Sequence, residues 1–467
     1  MELQNNNNEP RKIKDFLSSY SFGKLTILNL VSVSFGIIAD GIEMTLMGLF
    51  VIPITKYYSL TPFEVQVISS LLFLGVALGS YLSSYIVQFI TRKQTLFYSY
   101  LLLLVSHVVL SFSFHSYLFA IARVIIGVAL GVIVPVSLNL LSEFLPDTSR
   151  AFCLTGIWIF FSLGQGFQAL IMLIGMPNLE ETNMKYVLFT LSLFIVIALM
   201  SNHYFITESP NYLIINRNYE EAFDIIDKML IEKGEEIMVL EEKEDIMNEN
   251  KIMIEEKNNQ KGDIEELFVE SMYTTTLFTI ILMFILSFLF YGIILISTLT
   301  MKQLNISDHI TSNRKIITDQ IIVAFTSMPG NLIGGLMCEI KSIGRKRTIC
   351  IGFIISTICL IMILIFHSYY TILYSVYLFF VNISFNVTLT YVVEVYPSEL
   401  RDTSSGFLFS CLRISGFFSQ YLYLALNNLY YMMPYYFSGL ICLIAVWITV
   451  KLPYEPSEEI EKYDKVK

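Results

Sequence analysis

Two carboxylates lie three residues apart inside an apolar stretch, at Asp40 and Glu43 of the sequence Ala39-Asp40-Gly41-Ile42-Glu43. The surrounding run, about residues 26–54, is long enough to cross a bilayer as a helix. A charged residue at the bilayer centre costs roughly 2.5–3.5 kcal/mol on insertion scales, so both side chains should face a bundle interior or a wet cavity. They serve either as a coupling or substrate site near the membrane's middle or as part of an ion pair that joins two helices.

The composition indicates a polytopic membrane protein, since 55% of the 467 residues are hydrophobic and only 15% are charged. The net charge of −10 is local, because residues 208–272 hold 7 Lys or Arg and 19 Asp or Glu. An all-α integral membrane protein is therefore expected, and nucleic-acid binding is not. Twelve apolar segments are predicted to be transmembrane helices, at about residues 26–54, 63–90, 94–114, 116–141, 151–176, 185–205, 273–299, 318–340, 347–366, 368–392, 403–427 and 430–450.

The distribution of Lys and Arg predicts that both termini are cytoplasmic, because these residues concentrate in short cytoplasmic loops. Asn305 begins an Asn-Ile-Ser sequon in the predicted outer loop after the seventh span, which makes it a glycosylation candidate. The chain is predicted to consist of a cytoplasmic tail (1–25), a six-helix bundle (26–205), an acidic cytoplasmic linker (206–272), a second six-helix bundle (273–450) and a cytoplasmic tail (451–467).

Two short patterns recur with offsets of 251 and 253 residues. Glu and Arg are spaced Glu-x-x-Pro-x-x-x-Arg in both copies of the first pattern, and a basic pair forms the second. Such a parallel duplication, with a binding site between the halves, is typical of one class of secondary transporters. We expect a cytoplasmic gate in which basic residues of one loop approach a glutamate of another; the alternative is that they only fix orientation. The gate candidates are Arg92, Lys93, Glu143, Arg150, Arg345, Lys346, Glu394 and Arg401.

Further motifs resemble those of a known family, namely Arg123-x3-Gly127-x3-Gly131-x3-Pro135, Glu208-Ser209-Pro210, Tyr291-Gly292 and Pro329-Gly330-Asn331. With the repeat, they make residues 25–450 resemble the major facilitator superfamily, in particular the branch of the synaptic vesicle glycoprotein 2 proteins and related organic-ion and sugar transporters. The resemblance implies twelve helices in two halves, alternating access for a small solute, and contact between helices 1 and 4. The loop between helices 2 and 3 departs from the family pattern, with Ser84, Gln88 and Thr91 where Gly, Asp and Gly are usual.

The depths of two charged residues predict a contact between them. At 1.5 Å per residue, Asp40 lies roughly 20 Å from the inner end of helix 1 and Arg123 roughly 10 Å from the outer start of helix 4. These are similar levels in a core about 30 Å thick. If Arg123 left Asp40 during alternating access, Asp40 would take up a proton, which would couple proton flow to solute movement. Glu43 is then either the proton site or a contact for a cationic solute.

Six further polar residues at membrane depth are candidates to line a cavity: Gln165, Tyr291, Asn331, Asn382, Asn386 and Arg413. For each of them, hydrogen bonding between helices is the competing interpretation. Arg413 has no acid near it in the sequence, so an anionic group of the solute is its candidate partner. His107 in the third span is expected to be a packed residue with its hydrogen bonds satisfied.

These observations predict a secondary transporter of a small organic solute, coupled to H⁺ through Asp40, Glu43 and Arg123. The alternatives are an uncoupled facilitator and a non-transporting membrane receptor or scaffold. The sequence has no nucleotide-binding loop, metal-ligand cluster or nucleophile elbow, so neither an enzyme nor a cofactor is expected. We expect a monomer in the bilayer of the plasma membrane or an internal vesicle, and the charge of its solute stays open.

Overall fold

The computed structural model describes residues 23–146, 149–215, 217–233, 243, 264–307, 313–340, 342–396 and 400–452. Regular structure within these ranges is helical, which confirms the predicted all-α class. The helices are α1 (Lys24–Tyr58), α2 (Pro62–Ile86), α3 (Arg92–Ser111), α4 (Ser116–Phe144), α5 (Arg150–Gly156 and Ile159–Gly175), α6 (Met184–Phe205), α7 (Pro210–Ile215), α8 (Tyr219–Lys233), α9 (Glu270–Ser287, a π-helical turn Phe288–Gly292, and Ile293–Ser307), α10 (Asn313–Glu339), α11 (Gly344–Ile365), α12 (Tyr370–Val395), α13 (Arg401–Leu429) and α14 (Met433–Lys451).

Eleven of the described helices are long and apolar enough to cross a membrane, against the twelve predicted. The exception is α13, which has 29 residues but interrupts its apolar side chains with Arg413, Gln420 and several serines. The sequon residue Asn305 lies in the last turn of α9, where a loop was predicted, and its side chain is outside the described set. Most of the predicted acidic linker beyond α8 also lies outside the described residues.

Helices α1–α6 and α9–α14 pack in equivalent ways. In the first group α2 and α3 pack on α4 and α1 packs on α5; in the second, α10 and α11 pack on α12 and α9 packs on α13. The two groups meet through α2 against α13 and through α5 against α10. We call α1–α6 the first half, α9–α14 the second half, and the end of the bundle where α3 and α11 begin the basic end.

Glycines bring the backbones of α2 and α4 into contact. A Cβ atom at Gly131 would lie 2.2 Å from the carbonyl oxygen of Val76, and one at Gly127 would lie 2.4 Å from that of Leu72. Small residues at such crossings allow the close backbone approach by which membrane helices associate. This contact fixes α4, and with it Arg123, against the rest of the first half.

Gly131→Ala is expected to destabilise the protein by about 1–3 kcal/mol, because the new methyl group overlaps backbone atoms that cannot rotate away. The matched control is Gly439→Ala in α14, where a Cβ would meet no atom within 4 Å. There the higher helix propensity of alanine should leave stability equal or raise it by about 0.5–1 kcal/mol. Thermal unfolding of both purified variants checks the prediction, and equal midpoints would contradict the close crossing.

Candidate functional site

The two acids of α1 are fully buried and have different partners. Asp40 Oδ2 lies 3.5 Å from Arg413 Nη2 of α13, an ion pair that joins the first half to the second. The predicted contact between Asp40 and Arg123 is therefore wrong. Arg123 Nη1 instead donates to Glu43 Oε2 at 3.0 Å, and its Nη2 lies 3.4 Å from the Glu43 backbone oxygen.

Glu43 also contacts a histidine that the sequence interpretation treated as ordinary packing. His107 Nδ1 of α3 pairs with Glu43 Oε1, and its Nε2 lies 3.0 Å from the backbone oxygen of Leu188 in α6. Glu43, His107 and Arg123 are each buried to 1% exposure or less. A single signal in the sequence could have marked His107, namely a titratable residue within an apolar span.

Close packing of α1 on α5 fixes the acids in place. A Cβ at Gly41 would lie 2.2 Å from the Phe161 carbonyl oxygen, and one at Gly164 would lie 2.3 Å from that of Ile38. The Thr45 hydroxyl donates to the Gly41 carbonyl at 2.7 Å within α1. These contacts hold the turn that carries Asp40 and Glu43 against the centre of the bundle.

Arg413 is held by several groups of the protein. Its Nη1 donates to the Tyr291 hydroxyl and lies 3.5 Å from the Met44 sulfur, and its guanidinium lies 5.2 Å from the centre of the Tyr291 ring. With Asp40 as its ion-pair partner, Arg413 does not need an anionic solute to balance its charge. The prediction that a solute group is its partner is therefore not supported by these contacts.

A narrow cleft with about 30 Å³ of free interior volume lies between the halves on the side of the centre away from the basic end. Its walls are uncharged in the described part of the chain, and its polar groups are the amides and hydroxyls of Thr45, Gln165, Gln168, Thr298, Gln320 and Tyr374. Gln165 is the only one of the six predicted cavity residues among the described walls of this cleft. The walls therefore offer hydrogen bonds without a formal charge.

The predicted asparagines make helix contacts instead. Asn331 Nδ2 of α10 donates to the Trp158 backbone oxygen of α5 at 2.9 Å, and Asn386 Nδ2 of α12 donates to Asn331 Oδ1 at 2.5 Å. Asn382 is buried one turn from Asn386 on α12. The amides of Asn331 and Asn386 join α12 and α10 to α5, as the competing interpretation of interhelical hydrogen bonding expects.

Aromatic rings separate the cleft from the basic end. Phe290, in the π-helical turn of α9, lies with its ring centre 5.9 Å from that of Phe161 and 4.8 Å from that of Phe385. Trp158 packs against Phe385 at 6.4 Å, and Phe73 packs against Tyr291 at 4.9 Å. This layer combines side chains of both halves and lies between the cleft and the basic end.

At the basic end, each repeated Glu forms an ion pair within its own half. Arg92 pairs with Glu143, and Arg345 Nε lies 3.0 Å from Glu394 Oε2. Contacts between the halves at this end include neutral hydrogen bonds, from Asn139 to Ser405 at 2.8 Å and between Thr155 and Thr390 at 2.9 Å. A basic residue of one loop therefore pairs with an acid of another at two places, between α3 and α4 and between α11 and α12.

The other predicted gate residues mostly contact backbone. Arg150 donates to the carbonyls of Ser142 at 3.1 Å and Leu145 at 3.3 Å, and Lys346 donates to that of Leu452. The side chain of Arg401 is outside the described set. The Lys93 backbone N–H donates to Glu208 Oε2 at 2.8 Å.

The segment after α6 joins this network at the basic end. The Ser209 hydroxyl donates to Glu143, and the Tyr212 hydroxyl donates to the carbonyls of Val87 at 3.2 Å and Ile90 at 3.1 Å. Burial raises the pKa of Glu208 above its ordinary value, although N–H donors and the nearby guanidinium of Arg92 oppose the shift. Thr91, at a position where the resembled family usually has glycine, caps α3 by accepting from the Gln94 N–H at 3.2 Å.

Comparison with known proteins gives consistent matches along the whole chain. A family model described as "Sugar (and other) transporter" matches residues 33–466. The "Synaptic vesicle 2-related protein" of Rattus norvegicus is 24% identical over 97% of this chain and 83% of its own length. The "Organic cation/carnitine transporter 7" of Arabidopsis thaliana is 24% identical over 86% of each chain. Among solved structures, the proton:xylose symporter XylE of E. coli superposes with a TM-score of 0.73 at 16% identity, covering 92% of this chain and 96% of XylE, and so shares its fold.

Proposed function

The chain belongs to the sugar (and other) transporter family, and from that premise we propose that it carries a small neutral polar solute across a membrane by alternating access. The single observation that carries the proposal is the uncharged, amide- and hydroxyl-lined cleft between the two halves. Ligand sites between two matched halves of a transporter are expected near the bilayer midplane. In this proposal α13 is the twelfth span, both termini are cytoplasmic, the basic end faces the cytoplasm and the monomer is the working unit.

A neutral solute is favoured over an organic ion because the buried charges already have partners. Asp40 pairs with Arg413, and Glu43 pairs with Arg123 and His107. A bare ion in a cleft without an opposite charge would lose its hydration without compensation. Amides and hydroxyls can both donate and accept, which suits the hydroxyls of a sugar or polyol. The xylose named for XylE has this chemistry, whereas the organic cation and carnitine named for the Arabidopsis relative do not.

The ion pairs of Asp40 and Glu43 should respond differently when the two halves move against each other. The Asp40–Arg413 pair crosses from one half to the other, so it must lengthen or break when the halves rock against each other. The Glu43–Arg123 pair lies within the first half and can persist through that motion. We therefore propose Glu43, in place of Asp40, as the acid that couples transport to H⁺. A proton and the guanidinium of Arg123 compete for its carboxylate.

Gln165→Leu is expected to raise the half-saturation concentration of the transported solute about tenfold, the equivalent of roughly 1.4 kcal/mol for a lost hydrogen bond. The experiment is counterflow into proteoliposomes with a panel of pentoses, hexoses, polyols, organic cations and carboxylates. Gln303→Leu, at an exposed position near the end of α9, is the matched control. Transport of cations alone, or an unchanged half-saturation in Gln165→Leu, would contradict the assignment of solute and cleft.

A non-transporting receptor or scaffold is the second candidate, favoured by the aromatic layer beneath the cleft and by the altered loop at Ser84, Gln88 and Thr91. It predicts no counterflow for any solute in the panel. An uncoupled facilitator predicts counterflow with no accumulation when a pH gradient is imposed. One set of vesicles thus separates all three functions.

A further inference from the structure

His107 is enclosed between two hydrogen-bond acceptors. Its Nδ1 faces Glu43 Oε1, and its Nε2 faces the Leu188 carbonyl oxygen at 3.0 Å. The ring and the Glu43 carboxylate are both fully buried. Neither acceptor can supply a proton while Glu43 is ionised, so every proton in these two contacts must come from the imidazole or from a protonated Glu43.

One ring proton cannot satisfy both contacts. A neutral imidazole has a single N–H and one lone pair. With the proton on Nε2, the bond to Leu188 forms, but Nδ1 and Glu43 Oε1 are two acceptors in contact and neither has a hydrogen-bond partner among the described residues. A buried polar group without a hydrogen-bond partner destabilises the folded state. A second proton, on Nδ1 or on Glu43 Oε1, turns the contact into a hydrogen bond.

We propose that Glu43 and His107 together bind one exchangeable proton, which makes His107 part of the coupling site. The inference rests on the proposed proton-coupled function but concerns a residue that function did not use. In the loaded state the proton lies between Nδ1 and Oε1, and on release it leaves to solvent while Nε2 keeps its own proton. No other bond is made or broken.

The charges around the pair make loading reversible. Arg123 of α4 lies 3.0 Å from the other oxygen of Glu43 and opposes the added positive charge. Loaded, Glu43, His107 and Arg123 carry a net charge of +1; unloaded, they are neutral. Hydrogen bonding therefore favours the proton, whereas the guanidinium disfavours it, so a small change in the Arg123 contact can decide its occupancy.

Other titratable groups near the pair are already engaged or lie farther along the helices. Asp40, one turn from Glu43 on α1, pairs with Arg413. On α3, Tyr100 lies two turns from His107, and its hydroxyl packs against Gly36 of α1. On α6, Lys185 is held 3.8 Å from the centre of the Phe114 ring. These positions leave Glu43 and Arg123 as the charged groups that face the His107 contact in the described structure.

The transport test is His107→Asn, because the amide nitrogen of asparagine can replace Nδ1 as a donor to Glu43 but cannot release a proton. Under a gradient of about one pH unit, coupling to one proton supports about tenfold accumulation, since 1.36 kcal/mol corresponds to a factor of ten. We expect His107→Asn to lose this accumulation while keeping counterflow. His115→Asn, at the exposed residue before α4, is the matched control and should accumulate like wild type. Wild-type accumulation by His107→Asn would overturn the proposal.

A second measurement does not depend on transport. The protein, labelled with ¹⁵N at its five histidines, is placed in lipid nanodiscs, and the His107 signals are those that remain when the other four histidines are replaced. When the site is loaded, we expect both ring nitrogens of His107 to be protonated or strongly hydrogen-bonded; when the proton is released, Nδ1 becomes bare while Nε2 stays protonated. A bare Nδ1 at every pH at which the protein is folded would overturn the proposal, even if His107→Asn fails to fold. Absence of counterflow in wild type would instead overturn the proposed function and leave this spectrum as the test of proton binding.

Discussion

Asp40→Asn is expected to destabilise the folded protein by about 3–5 kcal/mol, the cost of removing one partner from a buried ion pair. The variant leaves Arg413 at 1% exposure without a carboxylate, with Tyr291 and Met44 as its remaining contacts. A guanidinium cannot discharge by losing its proton, so the charge stays in the bundle. Thermal unfolding and the yield of folded protein in detergent measure the loss.

Arg413→Gln is expected to be the milder change of the two. It leaves Asp40 alone, but a buried carboxyl group can neutralise itself by taking up a proton, whereas Arg413 has no such escape. The double variant Asp40→Asn with Arg413→Gln removes both charges and should recover most of the stability lost by Asp40→Asn. We therefore expect the double variant and Arg413→Gln to be more stable than Asp40→Asn.

Transport by the double variant decides what the ion pair is for. If the pair only joins two helices, neutralising both members preserves folding and counterflow together. If it sets the balance between the two orientations of the halves, we expect folding to be preserved and counterflow to fall by about tenfold or more, a change of 1.4 kcal/mol in that balance. Equal destabilisation by both single variants would contradict the asymmetry of the two charges.

The sequence predicted that the acids of α1 need partners but assigned the wrong one to Asp40. Depth along a helix is one coordinate, and it placed Asp40 and Arg123 at similar levels. Rotation about the axis is the other: three residues correspond to about 300° at 3.6 residues per turn, so neighbouring acids point about 60° apart. Because of this angle, Asp40 contacts α13, whereas Glu43 contacts α3 and α4. Arg413 is 373 residues from Asp40 in the sequence, and their contact depends on how the two halves pack. The spacing of residues within one segment carries no information about that packing.

Polar residues in the spans show a second limit of sequence reasoning. Gln165 and Asn331 look alike in the sequence, since each is an amide in an apolar segment. Gln165 lines the cleft, whereas Asn331 bonds to the backbone of α5 and to Asn386. The same interhelical bonding competes with every solute contact at membrane depth. Residue type therefore identifies both amides as candidates. The packing of α5 against α10 decides which of them lines the cleft.

Glu43→Gln is expected to abolish accumulation driven by a pH gradient while leaving counterflow per folded molecule in place. It should also lower stability, because Arg123, at 1% exposure, loses its carboxylate as Arg413 does in Asp40→Asn. The glutamine oxygen can still accept from Arg123 Nη1, now 3.0 Å from Glu43 Oε2, so the helices α1 and α4 stay joined. The amide cannot take up a proton in the relevant pH range, so this site can no longer bind the H⁺ that drives accumulation. Under a gradient of about one pH unit, the expected loss is from about tenfold accumulation to none.

Glu64→Gln is the matched control for this substitution. Glu64 is an exposed acid at the start of α2 that bonds the Thr61 N–H at 2.8 Å in a capping box, a role that glutamine also fills. Accumulation by Glu43→Gln at the wild-type level would assign the proton to another acid, and Asp40 would then be the first to test. Loss of accumulation in Glu43→Gln but not in His107→Asn would place the proton on the carboxylate alone. Loss in both variants, with counterflow intact in each, is what a proton shared between the two side chains requires.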